Sequence, residues 1–524
     1  MSFRIGKYVI ISIGMAIVTL LTGQIEKVPN PEPGAALAKQ YCSSCHQFPE
    51  PEILTKKSWN YLLTEMGFRL GIVDYSHLQN SSRFAVLSMK TKERALRMGG
   101  LVPQTPLVTN DHWAAIREYY SKAAPNQPLP QPKKKKIKKK LSHFALRIPD
   151  YQPKAAAITL IRMDAANGRI MIGNQPDESL TILDKELNLI QTYSNYKLLV
   201  DVEAKEDGLF LLSIGDLMGR HIGIPNGYVQ LTSGNPSQWQ NLGVAASELH
   251  RPADMEFADL DGDSIDELVV CNFGDVTGNA AIYQLKDNKY VLLKELANVP
   301  GAIKSQVYDF NQDGLLDIAI LFGDARENIS LFMNQGKHQY QRKVVVETHS
   351  SYGHTYFELQ DFNDDGHMDI LAVNGDTDAD PYNTLKNYHG VRIYMNDQKN
   401  NFNLEYFYPM YGAHFAKAAD FDKDGDLDIA ASAFFPDFAV DQPEQFTYLV
   451  NNGGLNFTPF THPETFDGRW MTMDIGDYDQ DGDVDIALGA GYIALGMAVD
   501  YREKLSSLRA NGKAILIFEN TINK

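Results

Sequence analysis

Short apolar runs separated by polar turns fill the chain from residue 143 to its end. In a typical unit, an apolar run such as 317–322 is followed by a second at 329–334, a turn rich in Gly or Asn, and a third at 340–346. Runs of this length bounded by such turns are typical of β-strands. Together with the strand that precedes each unit, this makes four strands per repeat, which is the content of a propeller blade.

The repeats return about every 50 to 60 residues, a period typical of propellers and solenoids. Five of them carry an acidic segment, and two weaker units, at 155–199 and 200–248, lack it. Two and five repeats predict an all-β, seven-bladed propeller over residues 143–524, with six or eight blades as the alternatives. A strand near 144–148 is expected to close the last blade.

The acidic segment places Asp or Asn at positions 1, 3 and 5, Gly or Ser at position 6, and a carboxylate at position 9. This spacing suits calcium, which takes six to eight oxygen ligands, several of them from carboxylates. An EF-hand would need Glu at position 12, where these loops hold apolar residues. Metal-free acidic hairpins are the alternative, but carboxylates this close together repel one another. We therefore predict up to five calcium sites, each in a loop between two strands.

The predicted calcium ligands are the side chains at positions 1, 3, 5 and 9 of the five loops. They are Asp259, Asp261, Asp263, Glu267, Asp309, Asn311, Asp313, Asp317, Asp361, Asn363, Asp365, Asp369, Asp420, Asp422, Asp424, Asp428, Asp477, Asp479, Asp481 and Asp485. The first loop departs from the others, since it has Ser264 at position 6 and Glu267 at position 9. A serine is strained in a turn that favours glycine, so we expect this site to be the weakest.

Residues 1–25 have the order of a secretory signal. Arg4 and Lys7 make the start basic, and the apolar run 8–21 that follows is short for a membrane span. We predict a signal peptide, with an uncleaved N-terminal membrane anchor as the alternative. Either implies the bacterial envelope, that is, the periplasm, the cell surface or secretion.

Cys42 and Cys45 are separated by two residues and followed directly by His46. This spacing is the covalent attachment motif of c-type haem, in which the thiols bind the porphyrin and the histidine binds the iron. A thioredoxin-like redox pair would need a surrounding βαβ pattern, and a zinc site would need a further Cys or His pair nearby. We predict one covalent haem c.

Residues 30–124 resemble a small monohaem cytochrome c domain, with helical patterns over 58–66 and 109–120. The resemblance implies a sixth ligand to the haem iron. Met66 is the first choice, because the phrase Met-Gly-Phe-Arg-Leu-Gly that it begins recurs in cytochromes fused to repeat domains of this kind. Met98, before the last helix, is the alternative.

Residues 125–142 form a linker that contains four prolines and seven lysines. Prolines extend a chain and lysines keep it solvated, so we predict a soluble spacer between two domains. The alternative is a basic tether for anionic lipid, a surface polymer or an acidic redox partner.

The net charge of −17 at pH 7 is concentrated in the acidic loops. Eighteen carboxylates occupy loop positions, and without them the charge is about +1. We therefore predict no nucleic-acid-binding face. The three cysteines exclude a fold held by many disulfides.

The five loops resemble the FG-GAP/VCBS repeat family, whose propellers carry calcium loops of the form Asp-x-Asp-x-Asp-Gly-x-x-Asp. The resemblance covers 255–490 directly and 143–524 by extension. The whole chain resembles secreted bacterial proteins that fuse a cytochrome c domain to such a propeller. That resemblance implies an envelope location and no settled reaction.

A cationic or imidazole side chain precedes each acidic loop by a few residues. If the blades are related by rotation, these side chains are expected to form a ring at one mouth of the central channel and to bind an anionic or carbohydrate ligand. The alternative is that they hydrogen-bond neighbouring blades. They are Arg251, Lys304, His354, His414 and Arg469.

Three functions remain open at this point. The first is an exported electron-transfer protein whose propeller docks a redox partner protein or ligand. The second is an oxidoreductase acting on a carbohydrate or alcohol in the propeller channel, although no dinucleotide fingerprint or Gly-x-Ser-x-Gly motif is present. The third is a cell-surface adhesion or polysaccharide-binding protein. Fold alone does not decide whether the chain is an enzyme.

Overall fold

A computed structural model describes residues 33–523, except 80, 206–207, 216–223, 236, 275, 378–379 and 498–500. The predicted signal peptide or anchor, residues 1–25, lies outside the described residues. No helix within the described part of the chain is both long and apolar enough to cross a membrane. The chain forms a helical part followed by a β-propeller.

Four helices form the N-terminal part, and their starts follow the sequence. Thr55, Ser82 and Thr109 each accept a backbone N–H three residues on, as N-cap residues do. The helices are α1 (Pro33–Cys42), α2 (Lys56–Arg69), α3 (Arg83–Met98) and α4 (Asn110–Ala123), and α5 (Arg502–Asn511) lies near the C-terminus. Short 3-10 turns occur at Pro51–Ile53, Ser76–Leu78, Ala165–Asn167, Asp324–Arg326 and Pro463–Asp467.

The first and last helices of this part cross at close range. A Cβ atom at Gly34 of α1 would lie 2.3 Å from the carbonyl oxygen of Ala115 in α4, so only glycine permits this approach. Trp59 of α2 packs against Tyr120 of α4, with 4.3 Å between the ring centroids. The buried faces of α1, α2 and α4 thus share one apolar core.

The propeller has seven four-stranded antiparallel blades, as predicted. Blade 1 is β2 (Ile158–Asp164), β3 (Arg169–Asn174), β4 (Ser179–Asp184) and β5 (Leu189–Ser194), and blade 2 is β6 (Leu199–Lys205), β7 (Gly208–Ser213), β8 (Gly227–Ser233) and β9 (Gln240–Leu249). Blade 3 is β10 (Pro252–Ala258), β11 (Glu267–Asn272), β12 (Asn279–Lys286) and β13 (Lys289–Ala297), and blade 4 is β14 (Ala302–Tyr308), β15 (Asp317–Phe322), β16 (Asn328–Asn334) and β17 (Tyr340–Glu347). Blade 5 is β18 (His354–Gln360), β19 (Asp369–Asn374), β20 (Gly390–Asn396) and β21 (Phe402–Pro409), and blade 6 is β22 (Ala413–Ala419), β23 (Asp428–Ala433), β24 (Phe446–Asn451) and β25 (Phe457–Phe460).

Blade 7 joins the two ends of the propeller sequence. Its inner strands are β26 (Trp470–Gly476), β27 (Asp485–Ala490) and β28 (Ile515–Asn520), and its outermost strand is β1 (Phe144–Arg147). β1 pairs with β28 in an antiparallel register that runs from Phe144 opposite Asn520 to Arg147 opposite Ile517. The predicted closing strand near 144–148 is therefore confirmed.

Side chains on the innermost strands tie each blade to the next. Asp254 of blade 3 accepts the N–H of Ser305 in blade 4 at 2.7 Å, and Glu358 of blade 5 accepts that of Ala418 in blade 6 at 2.6 Å. Similar bonds cross the other seams, including the one where the ring closes between blades 7 and 1. Buried polar groups whose hydrogen bonds are satisfied favour one arrangement of their partners. These bonds therefore fix the register of neighbouring blades.

The linker is docked on the propeller, where the sequence predicted a solvated spacer. Lys138 donates its N–H to the carbonyl of Pro459 at 3.0 Å and accepts the N–H of Thr461 at 2.8 Å. Lys135 Nζ donates to the carbonyl of Phe457 at 2.8 Å, and Lys134 binds Glu444. The linker thus covers the outer edge of blade 6, whose strand β25 would otherwise expose unpaired backbone groups.

Candidate functional sites

The acidic loops close around the carboxylate at position 1. In the second loop, Asp309 accepts the N–H groups of Asp313 at 3.1 Å and Gly314 at 2.8 Å. The first residue of every loop accepts the N–H groups of positions 5 and 6 in this way. The loop therefore folds back over its own first residue and brings the side chains of positions 1, 3 and 5 to one side.

Two residues of each loop lie in the left-handed backbone region. Position 6 was expected to do so, and Gly314, Gly366, Gly425 and Gly482 have φ between 83° and 96°. Position 4 was not singled out in the sequence, yet it has positive φ in all five loops, including at Gln312 and Lys423. The sequence hardly indicated positive φ at position 4, because only the first loop has a glycine there, Gly262.

Ser264 adopts the conformation that glycine takes in the other loops, with φ of 71°. A residue with a Cβ atom pays about 1–2 kcal/mol in this region. We expect Ser264→Gly to raise the free energy of unfolding by about 0.5–1 kcal/mol, measured by urea titration with calcium present. Gly314→Ser in the second loop is the matched reverse change, and equal stability of both variants and the parent would contradict the strain.

The carboxylate at position 9 is buried and already bound to backbone. Asp317 accepts the N–H of Phe310 at 3.0 Å through one oxygen and that of Asn334 at 2.7 Å through the other. The loops of blades 5 and 7 repeat both bonds, with Asn396 and Asn520 at the end of the third strand. Position 9 thus joins its loop to two strands of the blade, a role that the ligand prediction for this residue did not include.

Acidic side chains converge in three loops. The groups whose oxygens lie within 4.8 Å of one another are Asp259, Asp261 and Asp263; Asp420, Asp422 and Asp424; and Asp477, Asp479 and Asp485. In the second and third loops position 3 is Asn, so fewer carboxylates meet there.

Burial and neighbouring carboxylates raise the pKa of the position-9 groups. The pKa of Asp317 rises to about 6, that of Asp428 to about 7 and that of Asp485 to about 8, mainly because burial disfavours the charged form. The charged form is therefore costly at neutral pH, and a bound cation would offset this cost.

The first loop is the least regular of the five, as its sequence suggested. His338, in the β16–β17 turn of the next blade, lies with Nε2 3.1 Å from Asp261 Oδ2. Glu267 accepts the N–H of Leu260 at 2.9 Å. The third strand of blade 3 ends at Lys286, whereas the third strands of blades 4 to 7 each end at an Asn. That this loop binds calcium more weakly than the other four stays a prediction.

Cys42, Cys45 and His46 lie at the C-terminal end of α1. The thiol of Cys42 is buried in the helical core, whereas Cys45 is exposed. Nδ1 of His46 lies 2.9 Å from the carbonyl oxygen of Gln47, to which it donates when it carries the proton. In that tautomer Nε2 carries a lone pair, as a metal ligand requires, and burial lowers the pKa of His46.

The two candidate methionines differ in their surroundings. Met66 of α2 packs against the same apolar core that contains Cys42, Trp59 and Trp113. Met98 is 64% exposed at the end of α3. Of the two, Met66 is the one whose sulfur shares a core with the cysteine motif.

The cysteine motif faces the propeller. Gln47, directly after His46, forms a parallel bridge with His349, which precedes blade 5. On α2, Ser58 Oγ donates to Asp380 Oδ2 at 2.6 Å, within the long β19–β20 loop of blade 5. The helical part therefore docks on blade 5 through hydrogen bonds between side chains buried at the contact.

The five predicted channel-ring residues occupy different registers and do not form a ring. Arg251 and Arg469 precede their inner strands, whereas His354, His414 and Lys304 are the first, second and third residues of theirs. Each inner strand begins seven residues before the first Asp of its loop, but the five predicted residues precede that Asp by five to eight residues, so the prediction grouped side chains that differ in register. Of the five, Lys304 lines the channel cavity.

Three of the other four, Arg251, His354 and Arg469, form hydrogen bonds within or between blades, as in the alternative interpretation, whereas His414 packs against Phe434. Arg469 donates to the carbonyl of Phe434 at 2.8 Å and lies 3.6 Å from that ring's centroid. His354 pairs with Glu327 at 2.7 Å. Burial lowers the pKa of His414 to about 4, so this imidazole carries no charge at neutral pH.

The channel contains a cavity of about 160 Å³ whose charges are paired. Lys304 lies 3.1 Å from Asp254, and Lys417 lies 2.9 Å from Asp474. Each pair joins neighbouring blades, so the cations are compensated by carboxylates of the same wall. An anionic ligand would therefore compete with these carboxylates for the cations.

Comparison with known proteins gives a match to one family model and to a number of solved structures, among them the two that follow. Residues 309–372 match the FG-GAP-like repeat model, across blade 4 and the start of blade 5. A functionally unknown protein from Desulfotomaculum acetoxidans DSM 771 is 12% identical, with a TM-score of 0.38, over 61% of this chain and 88% of its own. BBS1N in complex with ARL6DN, soaked with lead, is 10% identical, with a TM-score of 0.43, over 74% of this chain and 98% of its own. No curated protein matches the sequence.

Proposed function

We propose that the chain is an exported c-type haem electron-transfer protein of the bacterial envelope, whose calcium-stabilised propeller docks a redox partner or ligand. The observation that carries this proposal is the arrangement around the cysteine motif. Cys42 and Met66 share one core, Cys45 is exposed, and His46 has its Nδ1 beside a carbonyl. These residue types, in this arrangement, fit a haem held by two thiols, an imidazole and a thioether.

The chain's own residues would attach the haem, ligate its iron and orient one of the ligands. When bound, haem c carries one electron at a time. Cys42 and Cys45 would attach it, and His46 and Met66 would ligate the iron. The carbonyl of Gln47 orients the His46 ring and makes its Nε2 the basic nitrogen, as outer partners of metal-bound histidines do.

Calcium in the acidic loops is the second element of the proposal. Three loops bring three carboxylates within 4.8 Å, and burial, together with the neighbouring carboxylates, raises the pKa of Asp428 and Asp485 at position 9. A hard divalent cation offsets the cost of the charged forms and takes oxygen ligands at such spacing. Calcium would thereby brace the hairpin turn of each of these blades, and its role would be structural.

The visible spectrum of the exported protein tests the haem assignment. We expect a sharp α-band on reduction and, in the oxidised form, the weak far-red band of Met–His ligation. Met66→Ala should abolish the far-red band, because the thioether that ligates the iron is lost. Met98→Ala is the matched control and should keep it, since Met98 is exposed. A protein without an α-band would remove the electron-transfer proposal.

A further inference from the structure

The first acidic loop brings together a second set of metal-ligating atoms besides its three aspartates. Ligand atoms of Asp261, Glu267 and His338 all lie within 4.8 Å of one another. Asp261 and Glu267 are positions 3 and 9 of the loop in blade 3, whereas His338 comes from the β16–β17 turn of blade 4. Among the described residues, the other groups of three converging ligand atoms consist of carboxylates alone, so this set is distinguished by its imidazole nitrogen.

Glu267 has one carboxylate oxygen that the fold does not use. The residue is 5% exposed, and its Oε2 accepts the N–H of Leu260 at 2.9 Å. No hydrogen bond from the described residues reaches Oε1, yet Oε1 is not one of the side-chain atoms that are wholly enclosed without a partner, so it keeps accessible surface. Because burying an unpaired charged oxygen is costly, a ligand at Oε1 stabilises this arrangement.

In the other four loops, both oxygens of the position-9 carboxylate accept hydrogen bonds. The loops of blades 4, 5 and 7 bind two backbone N–H groups each, and in blade 6 Asp428 binds the N–H of Asn451 and the hydroxyl of Tyr448. In blade 3, Glu replaces Asp and the third strand ends at Lys286, and the second of these bonds is not made. The free oxygen is therefore a property of the first loop and not of the repeat.

The distance between His338 and Asp261 suits two ligands of one small cation. Asp261 Oδ1 accepts the N–H of Asp263 at 3.2 Å, and its Oδ2 lies 3.1 Å from His338 Nε2. A tetrahedral zinc ion holds nitrogen and oxygen ligands at about 2.0–2.2 Å, which places two ligand atoms about 3.3–3.6 Å apart. A direct hydrogen bond between His338 and Asp261 also accounts for the distance, but it leaves Oε1 of Glu267 without a partner.

We propose that the first loop binds a divalent transition metal such as zinc, in preference to calcium, through Asp261, Glu267 and His338. Imidazole nitrogen suits zinc and its neighbours in the first transition row, whereas calcium takes oxygen ligands. Because His338 belongs to blade 4 and the two carboxylates to blade 3, the ion ties two blades together, and water completes its coordination on the exposed side. This inference does not require haem, and it leaves the other four loops as calcium sites.

Zinc titration of the exported full-length chain, by calorimetry in a calcium-containing buffer, tests the proposal. We expect a site that excess calcium does not displace and that His338→Asn weakens at least about 10-fold, since even the outer partners of a metal ligand are worth this much. Asparagine suits this position because His338 has φ of 54°. His367→Asn is the matched control, since it removes an imidazole from the third loop that belongs to no converging group among the described residues. Glu267→Gln is a second variant, which keeps an acceptor for the N–H of Leu260 and should also weaken zinc binding.

Two further readouts separate this site from other zinc binding. X-ray absorption at the zinc edge should show nitrogen and oxygen ligands without sulfur, and zinc should raise the thermal unfolding midpoint of the parent and of His367→Asn but not that of His338→Asn. Zinc binding that His338→Asn leaves unchanged, or no zinc binding in the presence of calcium, would overturn the proposal. Sulfur ligands together with unchanged binding would overturn it and also show free thiols at the cysteine motif, against the haem assignment. A chain without haem that loses zinc in His338→Asn would refute the proposed function and support the metal site.

Discussion

Removal of calcium should lower the thermal unfolding midpoint of the propeller by roughly 10–20 °C. A ligand that binds only the folded state stabilises it by about 2.7 kcal/mol per site when present at 100 times its dissociation constant. Without the cation, the three carboxylates that lie within 4.8 Å in the fourth and fifth loops repel one another, and their turns loosen. Differential scanning calorimetry with and without a calcium chelator measures the difference.

Controls separate a specific effect from general ionic strength. Calcium in excess of the chelator should restore the midpoint, and the haem spectrum should stay unchanged throughout, because the cysteine motif lies in the helical part. Asp424→Ala removes a predicted ligand of the fourth loop and should reduce the calcium-dependent shift. Asp441→Ala, an exposed acidic residue of the same blade outside the loop, should leave it intact. An unchanged midpoint after chelation would count against structural calcium.

The blade count followed from local signals. Apolar runs such as 317–322 alternate with turns and recur at a regular period, and each run is fully buried as an inner-sheet strand. The closing strand was also readable, since 144–148 is an apolar run with no partner in its own repeat. These signals are local in the sequence, so no contact between distant residues had to be known.

Contacts between distant residues were not readable in this way. The lysine-rich linker looks solvated by composition, yet Lys138 pairs with the backbone of blade 6 more than three hundred residues later. The docking of Ser58 on Asp380 joins the helical part to a blade 5 loop across a similar distance. Composition reports how soluble a segment is, but the surface that it meets depends on the finished fold.

The acidic loops likewise combine features that the sequence predicts with contacts that it does not. Spacing alone predicted that alternate side chains of each loop share a side, and in three of the loops three carboxylates lie within 4.8 Å of one another. One contact of these loops was not readable from the spacing: Asp317, the first residue of β15, accepts the N–H of Asn334 at the end of the next strand, β16. The channel ring did not form because the predicted residues differ in their distance from the loop: Arg469 precedes its loop by eight residues and Lys304 by five, so they lie in different registers.

The closing strand β1 should carry a large share of the propeller's stability, and Phe144→Ala tests this. Phe144 is 9% exposed and packs against Phe421 and Tyr448 of blade 6, at 5.9 and 5.3 Å between ring centroids. It therefore anchors β1 at the seam between blades 6 and 7. We expect the free energy of unfolding, measured by urea titration, to fall by about 3–5 kcal/mol, the usual cost of truncating a buried phenylalanine.

A matched variant distinguishes closure from the loss of any apolar side chain. Leu189 lies on β5, which is also an outermost strand, but it is 55% exposed. Leu189→Ala should therefore change the free energy of unfolding by no more than about 0.5 kcal/mol. Because a ring opened at one seam exposes the edge of β28 and loosens blade 7, Phe144→Ala should also speed proteolysis near the C-terminus. Similar stability of the two variants would mean that ring closure depends on the inner strands and not on β1.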